Sequence, residues 1–320
     1  MPTANDDARW LAAAAQLSAR ARPLSRPNPG VACILVKHGQ VIARGWTQPG
    51  GRPHAEAVAL EQAGEAARGA TAYVTLEPCA HVSRRGPCCT DALIAASVAE
   101  VVVGVEDPDE RTKGDGIARL RAAGIAVRLA DDNACRASLS GHFCNKIDHR
   151  PHVTLKLAIT ADGFIARPDG TSKWITGAEA RAHAHMERAR HDAILVGGGT
   201  LRADDPGLDV RLPGLDDRSP DRWLLTRGAA PAGWSRLQTP EAIASMEGVQ
   251  YLMVEGGAQV AASFLDAGLV DHLLLYRSAT EFGEGIPAFL DPGPAGVPAG
   301  WQLSDSRQLG SDNLSIYERG

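Results

Sequence analysis

Two α/β domains in tandem are what the sequence predicts, on three observations. The chain has 320 residues, more than one hydrophobic core usually organises. Apolar runs of strand length alternate with helix-length amphipathic segments in both halves. Between the halves, GHFCNKIDHRP from Gly141 turns polar and ends in proline, as linkers do. The expected division is residues 1–147 and 150–320.

Taken in order, WLAAAAQLSARA near the N-terminus reads as an amphipathic helix. Asp6, Asp7 and Arg9 precede it where a secretory leader would be basic. VACILV (31–36), QVIARGW (40–46), AYVTLE (72–77), VVVGVE (101–106) and IAVRLA (125–130) read as strands, with helices expected from His54 and from Cys89. In the second half VTLKLAI opens a new unit, followed by a helix from Ala178, strands AILVG, RWLLT and YLMVEGG, a helix over AQVAASFLDAG and the strand DHLLLYR. PGLDDRSPD at 213–221 reads as a polar surface loop.

The composition narrows the function classes. Hydrophobic residues at 44% and charged residues at 22% are ordinary for a soluble globular chain, and no uncharged apolar stretch approaches a membrane span. A net charge of −5 provides no general field for nucleic acid, so a small-molecule substrate is favoured. Six cysteines, two of them adjacent, are too few for a disulfide scaffold and point to a reducing cytoplasm and metal chemistry.

His54, Glu56, Cys79 and Cys88 carry the strongest chemical signal, as HAE followed by PCAHVSRRGPC. One His and two Cys hold Zn2+ in the zinc deaminases, while a nearby Glu that is not a ligand moves protons. Three protein ligands leave a fourth position for water, whose acidity the metal raises. The alternative is a closed structural zinc site, with His81 or Cys89 as fourth ligand.

The match then becomes specific. TLEPCAHVSRRGPC, PNPGVACILV and GGRPHAEAVAL resemble the riboflavin-biosynthesis bifunctional family, a deaminase fused to a reductase. The resemblance implies a cytidine-deaminase-like three-layer domain acting on 2,5-diamino-6-ribosylamino-4(3H)-pyrimidinone 5′-phosphate. It implies substrate contacts by Asn28, His81 and Arg84. Ser83, Arg85 and Gly86 replace the family's usual Gly, Thr and Pro, and Thr47 stands where the family often has a substrate-binding His. Read without the resemblance, Asn28 before Pro29 is a turn former and Arg84 a solvated loop residue.

In the second half, GGGT at 197–200 and EGG at 255–257 each follow a strand, and glycines there permit a phosphate to approach backbone. Tight turns alone would also explain them, and neither fits GxGxxG, so a Rossmann domain is disfavoured. LKLAITADGFIA, SKWIT, AILVGGGTLRADDPGLDVR, LMVEGG and GSDNLSIYER are similar to the reductase half of the same family. That likeness implies a dihydrofolate-reductase-like fold, NADPH as reductant of the ribosyl group, and homodimers. It places Ile159, Trp174, Thr200, Asp204 and Gly257 at the cofactor, and Lys156, Ser172, Arg188, Leu208, Arg211 and Glu255 at the substrate.

Arg188 and Arg211 suit a clamp on a ribose phosphate. On the residues alone, Glu255 also reads as a cap of the next helix, Trp174 as core, and Ser172 and Thr200 as turn or cap residues. The stretch between RSPDRWLLT and VQYLMVEGG is shorter than the family's, so a peripheral element is expected to be missing. Two rival functions remain: a nucleic-acid base deaminase with an appended domain, which the 5% aromatic content disfavours, and a non-catalytic zinc- and nucleotide-binding scaffold.

Overall fold

The computed structural model describes residues 4–81, 86–293 and 296–319. It divides into two compact units, Met1–His149 and Arg150–Gly320.

In the first unit the order is α1 (Ala4–Ser18), β1 (Ala32–Lys37), β2 (Gln40–Trp46), α2 (Ala55–Ala63), β3 (Thr71–Leu76), α3 (Cys89–Ala95), β4 (Glu100–Val105), α4 (Asp115–Ala122), β5 (Ala126–Leu129), α5 (Asn133–Ser138) and α6 (Ser140–Phe143). The sheet order is β2-β1-β3-β4-β5. β1 runs antiparallel to β2 and β3, whereas β3, β4 and β5 are parallel. The central strands are apolar at nearly every position and are buried on both faces, which requires a helical layer on each side. The helices sort accordingly: α1 packs with α5 and β3, while α2 packs with α3 and β1.

Gly45 in β2 sets how closely α2 approaches the sheet. A Cβ there would lie 2.3 Å from the Ala55 carbonyl oxygen and 2.7 Å from the Ala59 nitrogen. Only glycine permits this backbone contact at the helix start, where His54 and Glu56 sit.

The second unit contains β6 (His152–Ile159), β7 (Phe164–Ala166), α7 (Ala178–Arg188), β8 (Ala193–Gly197), α8 (Gly198–Asp204), β9 (Asp221–Leu225), β10 (Ser235–Leu237), β11 (Tyr251–Val254), α9 (Ala258–Asp266), β12 (His272–Arg277), β13 (Ile286–Pro287), β14 (Trp301–Leu309) and β15 (Asp312–Arg319). Its main sheet runs β10-β9-β8-β11-β6-β12-β15-β14. The first six strands are parallel and the last two antiparallel. β8 and β11 are entirely buried, and the side chains of Val153, Leu155, Leu252, Phe264 and Leu273 fill the core.

Two features differ from the sequence expectation. The terminal hairpin β14–β15 was not predicted, because WQLSDSRQL is mostly polar and exposed. The glycines at 198–199 do not form a turn alone but start α8 directly. Between β9 and β11 the connection holds only the short β10 and one 3-10 segment, Pro240–Ser245.

Candidate functional site

The first site forms where two helix starts meet the end of β3. His54 takes the N-cap position of α2 with extended backbone, and Glu56, in the first turn, is buried. Beyond β3 the chain continues through Glu77 and Pro78 to Cys79. The start of α3 is tied to this segment, with Thr90 N donating to the Cys79 carbonyl at 3.2 Å and Cys89 N donating to Cys79 Sγ at 3.3 Å.

His54 Nδ1 then lies 3.3 Å from Cys89 Sγ and 3.6 Å from Cys79 Sγ. The three donor atoms fall within 4.8 Å of one another, the one such metal-ligand group among the described residues. One imidazole and two sulfurs are the donor set zinc prefers, and the residues fit it.

The ligand pattern differs here from the sequence expectation. Cys88 was assigned by its nine-residue spacing from Cys79, but its Sγ turns to Thr90 Oγ1 at 3.0 Å, to Asp91 Oδ2 at 3.1 Å and towards Arg119. Cys88 is the extended N-cap residue of α3 and Cys89 its first helical residue. Neighbouring positions at a helix start point in different directions, so only one of the pair faces His54.

The electrostatics differ among the three donors, with Cys79 the one shifted towards its ligating form. The hydrogen bond with Cys89 holds the Cys79 thiol at about 4, against burial and with help from His54, so a thiolate is present well below neutrality. That shared proton and burial push Cys89 up. Burial works against the His54 imidazolium, yet the Cys79 hydrogen bond and the Glu56 charge leave it raised. Burial also raises Glu56, only partly offset by His54.

Asn28 reaches this centre, its Nδ2 lying 2.9 Å from the Gly51 carbonyl and 3.2 Å from His54 Nε2. It is therefore more than a turn former. His81 Nδ1 contacts Thr112 Oγ1 at 3.3 Å. Arg84, with Ser83 and Arg85, lies outside the described residues. Thr47 is buried, and its Oγ1 accepts from Val31 N at 3.0 Å, so it joins strand ends.

Sequence reading missed Glu77. This buried carboxylate accepts from Asp107 N, Gly114 N and Ile117 N at 3.0–3.3 Å and fixes the loop that carries Thr112 to His81. At Gly116, in the first turn of α4, a Cβ would sit 2.1 Å from the Pro78 carbonyl, so the helix start closes directly on the cysteine segment.

The second unit has a cavity of about 460 Å³ beside β6, β8, β11 and α7. Trp174, Thr200, Asp204 and Gly257 of the expected cofactor set line it. Ile159 does not: it is fully buried in the hydrophobic core, because its strand position faces inwards. All six expected substrate-side residues line it, namely Lys156, Ser172, Arg188, Leu208, Arg211 and Glu255. Trp174 is 72% exposed and so is not core; Arg181 stacks over its ring at 4.8 Å.

Glu255 is not a helix cap, since Gly257 holds that position for α9. Instead Arg188 donates to it from Nε at 2.6 Å and from Nη2 at 2.9 Å, with Lys156 Nζ 3.8 Å away. Burial opposes the Glu255 charge, but Lys156 and Arg188 hold its carboxyl at about 2. Arg188 is thus bonded to Glu255, whereas Arg211 has its nearest carboxylate, Asp209, at 3.8 Å. His185, Arg181 and Lys173, which sequence reading did not select, also line the cavity.

Comparison with known proteins bears on both units. The model for the cytidine and deoxycytidylate deaminase zinc-binding region matches residues 4–105, and that for the RibD C-terminal domain matches residues 151–315. The riboflavin biosynthesis protein RibD of Aquifex aeolicus is 36% identical across 98% of each chain, and that of Corynebacterium ammoniagenes is 40% identical across 85% of each. Among solved structures, Acinetobacter baumannii RibD superposes with a TM-score of 0.87 at 32% identity, covering 99% of this chain and all of its own. A Thermotoga maritima structure described as a diaminohydroxyphosphoribosylaminopyrimidine deaminase/5-amino-6-(5-phosphoribosylamino)uracil reductase also gives 0.87, at 29% identity over 99% of both chains.

Two outcomes test this geometry. Zinc content measured on Cys88→Ser and Cys89→Ser should fall in the second variant and persist in the first; the reverse would return the ligand to Cys88. In the cavity, Glu255→Gln leaves Arg188 and Lys156 without their counter-charge and should cost about 3–5 kcal/mol at pH 7 in denaturant unfolding. Glu255 titrates lower when folded, so its contribution is complete above its unfolded value, about 4.3, and fades as pH falls through about 2. The Gln variant should lack that acid limb.

Proposed function

The chain belongs to the RibD family of riboflavin-biosynthesis proteins, and from that premise we propose how its residues divide two reactions. It is a bifunctional enzyme of riboflavin biosynthesis, a zinc-dependent deaminase joined to an NADPH-dependent reductase. In our reading, residues 1–147 deaminate 2,5-diamino-6-ribosylamino-4(3H)-pyrimidinone 5′-phosphate. Residues 150–320 then reduce the ribosyl group of 5-amino-6-ribosylaminouracil 5′-phosphate to ribityl. The observation that carries the first assignment is the convergence of His54 with two thiols beside the buried Glu56.

Zinc bound there supplies Lewis-acid activation of water. The remaining work falls to the chain. Glu56 removes a proton from the water whose oxygen adds to the amine-bearing carbon, places it on the ring nitrogen, and passes a second proton to the departing ammonia. Burial suits Glu56 to both acceptance and release, because it brings the acid and carboxylate forms closer in energy. Asn28, beside His54, and His81, set by Thr112, face the substrate. Cys79 and Cys89 complete the donor set with His54.

In the cavity of the second unit, NADPH supplies the hydride that reduces C1′. Trp174, Thr200, Asp204 and Gly257 are assigned to the cofactor. Lys156 and the Arg188–Glu255 pair set the charge of the cavity wall, while Arg211 is the cation at the rim available to a phosphate. We further infer a homodimer in the cytoplasm, with small molecules rather than nucleic acid or membrane as partners. The acidic balance argues against nucleic acid as a partner, and no helix among the described residues is long and apolar enough to cross a membrane.

Incubating the zinc-loaded protein with the diaminopyrimidine phosphate and following product mass tests both halves. Exchange of an amine for oxygen is expected without nucleotide, and addition of two hydrogens only when NADPH is present. Glu56→Gln should keep its zinc and lose ammonia release by about 10²–10⁴-fold. Deamination retained in that variant would remove Glu56 from its role.

A further inference from the structure

Among the cations lining the reductase cavity, Arg211 is held differently from the rest. Arg188 is locked on Glu255, Lys156 stands near the same carboxylate, Lys173 pairs with Asp204 at 3.5 Å, and Arg181 covers the Trp174 ring. The Arg211 side chain is 65% exposed, with its nearest carboxylate, Asp209, at 3.8 Å. Its closest partner is a histidine: Arg211 Nη2 lies 3.3 Å from His185 Nε2.

That contact and the one with Asp209 favour a neutral His185 with its hydrogen on Nδ1, at the cost of the Arg211 backbone N–H, which points to Nδ1 at 3.3 Å. A guanidinium only donates, so Nε2 must present its lone pair. The ring hydrogen then sits on Nδ1 and donates to the Asp209 carbonyl at 3.1 Å. The opposite tautomer would satisfy only the Arg211 backbone N–H, 3.3 Å from Nδ1, and would set two donors against each other at Nε2.

The charges around the imidazole agree. Arg181 and Arg188 share its helix, Arg211 and Asp209 approach from the segment after α8, and Glu255 stands at the end of β11. Burial, followed by Arg188 and Arg211, lowers His185 from its ordinary value, with the Asp209 carbonyl and Glu255 opposing. So held, Nε2 of His185 accepts from Arg211.

We propose that His185 and Arg211 together form a proton-coupled receptor for a phosphomonoester dianion. The anion enters between imidazole and guanidinium, Nε2 takes one proton from solvent, and both groups donate to phosphate oxygens. No covalent bond changes, and the dianion supplies the negative charge that makes the imidazolium favourable. This rests on the reductase reading of the cavity, which brings two such groups: the 5′-phosphate of the pyrimidine sugar and the 2′-phosphate of NADPH. Because the second phosphate ionisation lies near pH 6, the dianion is available at neutral pH.

Proton uptake makes binding weaken as pH rises, since the proton comes from a scarcer pool. Titration calorimetry in two buffers of different ionisation enthalpy reads this directly on the full-length, zinc-loaded protein. One arm compares the aminouracil ribosyl phosphate with its dephosphorylated nucleoside, and the other compares NADPH with NADH. Phosphate-dependent proton uptake is expected in one arm, which identifies the phosphate that is read. For that ligand KM should rise between about pH 6.5 and about pH 8.5. In His185→Gln, whose amide still bonds Arg211 but takes up no proton, the uptake and the pH slope should vanish and KM at the lower pH should rise about tenfold.

Absence of phosphate-dependent uptake in both arms, or its persistence in His185→Gln, overturns the proposal. Failure of the reductase reading shows separately, as no NADPH-dependent product from the wild-type protein. In that event inorganic phosphate is titrated against the His185 imidazole NMR signals: a phosphate-induced rise in its pKa supports the receptor, and no change rejects it.

Discussion

The deaminase centre depends on the attachment of the start of α3 to the end of β3. Thr90 N and Cys89 N both donate to Cys79, one to its carbonyl and one to its sulfur. Those two bonds bring sulfurs ten residues apart in sequence to the same imidazole. The sheet supplies a rigid edge, because β3 lies between β1 and β4 with its apolar side chains buried on both faces. Gly45 supplies the other constraint by letting α2 touch β2 through backbone, so that His54 and Glu56 are carried in together. Three protein donors and a buried carboxyl at one point are then a consequence of packing.

The reductase cavity is organised by a different force. Glu255 and Arg188 are both largely removed from water, and such a pair stabilises little relative to apolar side chains of the same size. What it provides is placement: a bidentate contact between the end of β11 and the last turn of α7 fixes one wall of the cavity. The same contact occupies one edge of Arg188, while Arg211 and its neighbour His185 meet at the rim. Leu208 adds to the wall with a left-handed backbone, φ 57°, while its side chain is buried. Such a conformation is costly outside glycine and persists only where its surroundings enforce it.

Much of the fold was legible in the sequence because its central strands are continuous apolar runs of strand length. VACILV, AYVTLE and AILVG each correspond to a strand of the structure to within a residue, and YLMVEGG overruns β11 by its last three residues. β14 was hidden because a largely exposed strand lacks that signal. The candidate metal donors His54 and Cys79 were legible from the motif, but the choice between Cys88 and Cys89 turns on where α3 begins, a boundary that sequence does not fix to one residue. His185 carried no local signal, since its partners Asp209 and Arg211 lie 24 and 26 residues away and reach it only through the fold. The Glu77 contacts with Asp107 N, Gly114 N and Ile117 N are likewise distant, at 30 to 40 residues.

A zinc centre built for chemistry differs from one built for stability in the count of its protein donors, and zinc K-edge X-ray absorption on the wild-type protein measures that count. The geometry predicts two sulfurs at about 2.3 Å and two lighter atoms at about 2.0 Å, one from His54 and one from water. A third sulfur, which would mean that Cys79, Cys88 and Cys89 all bind, would close the centre and contradict the account.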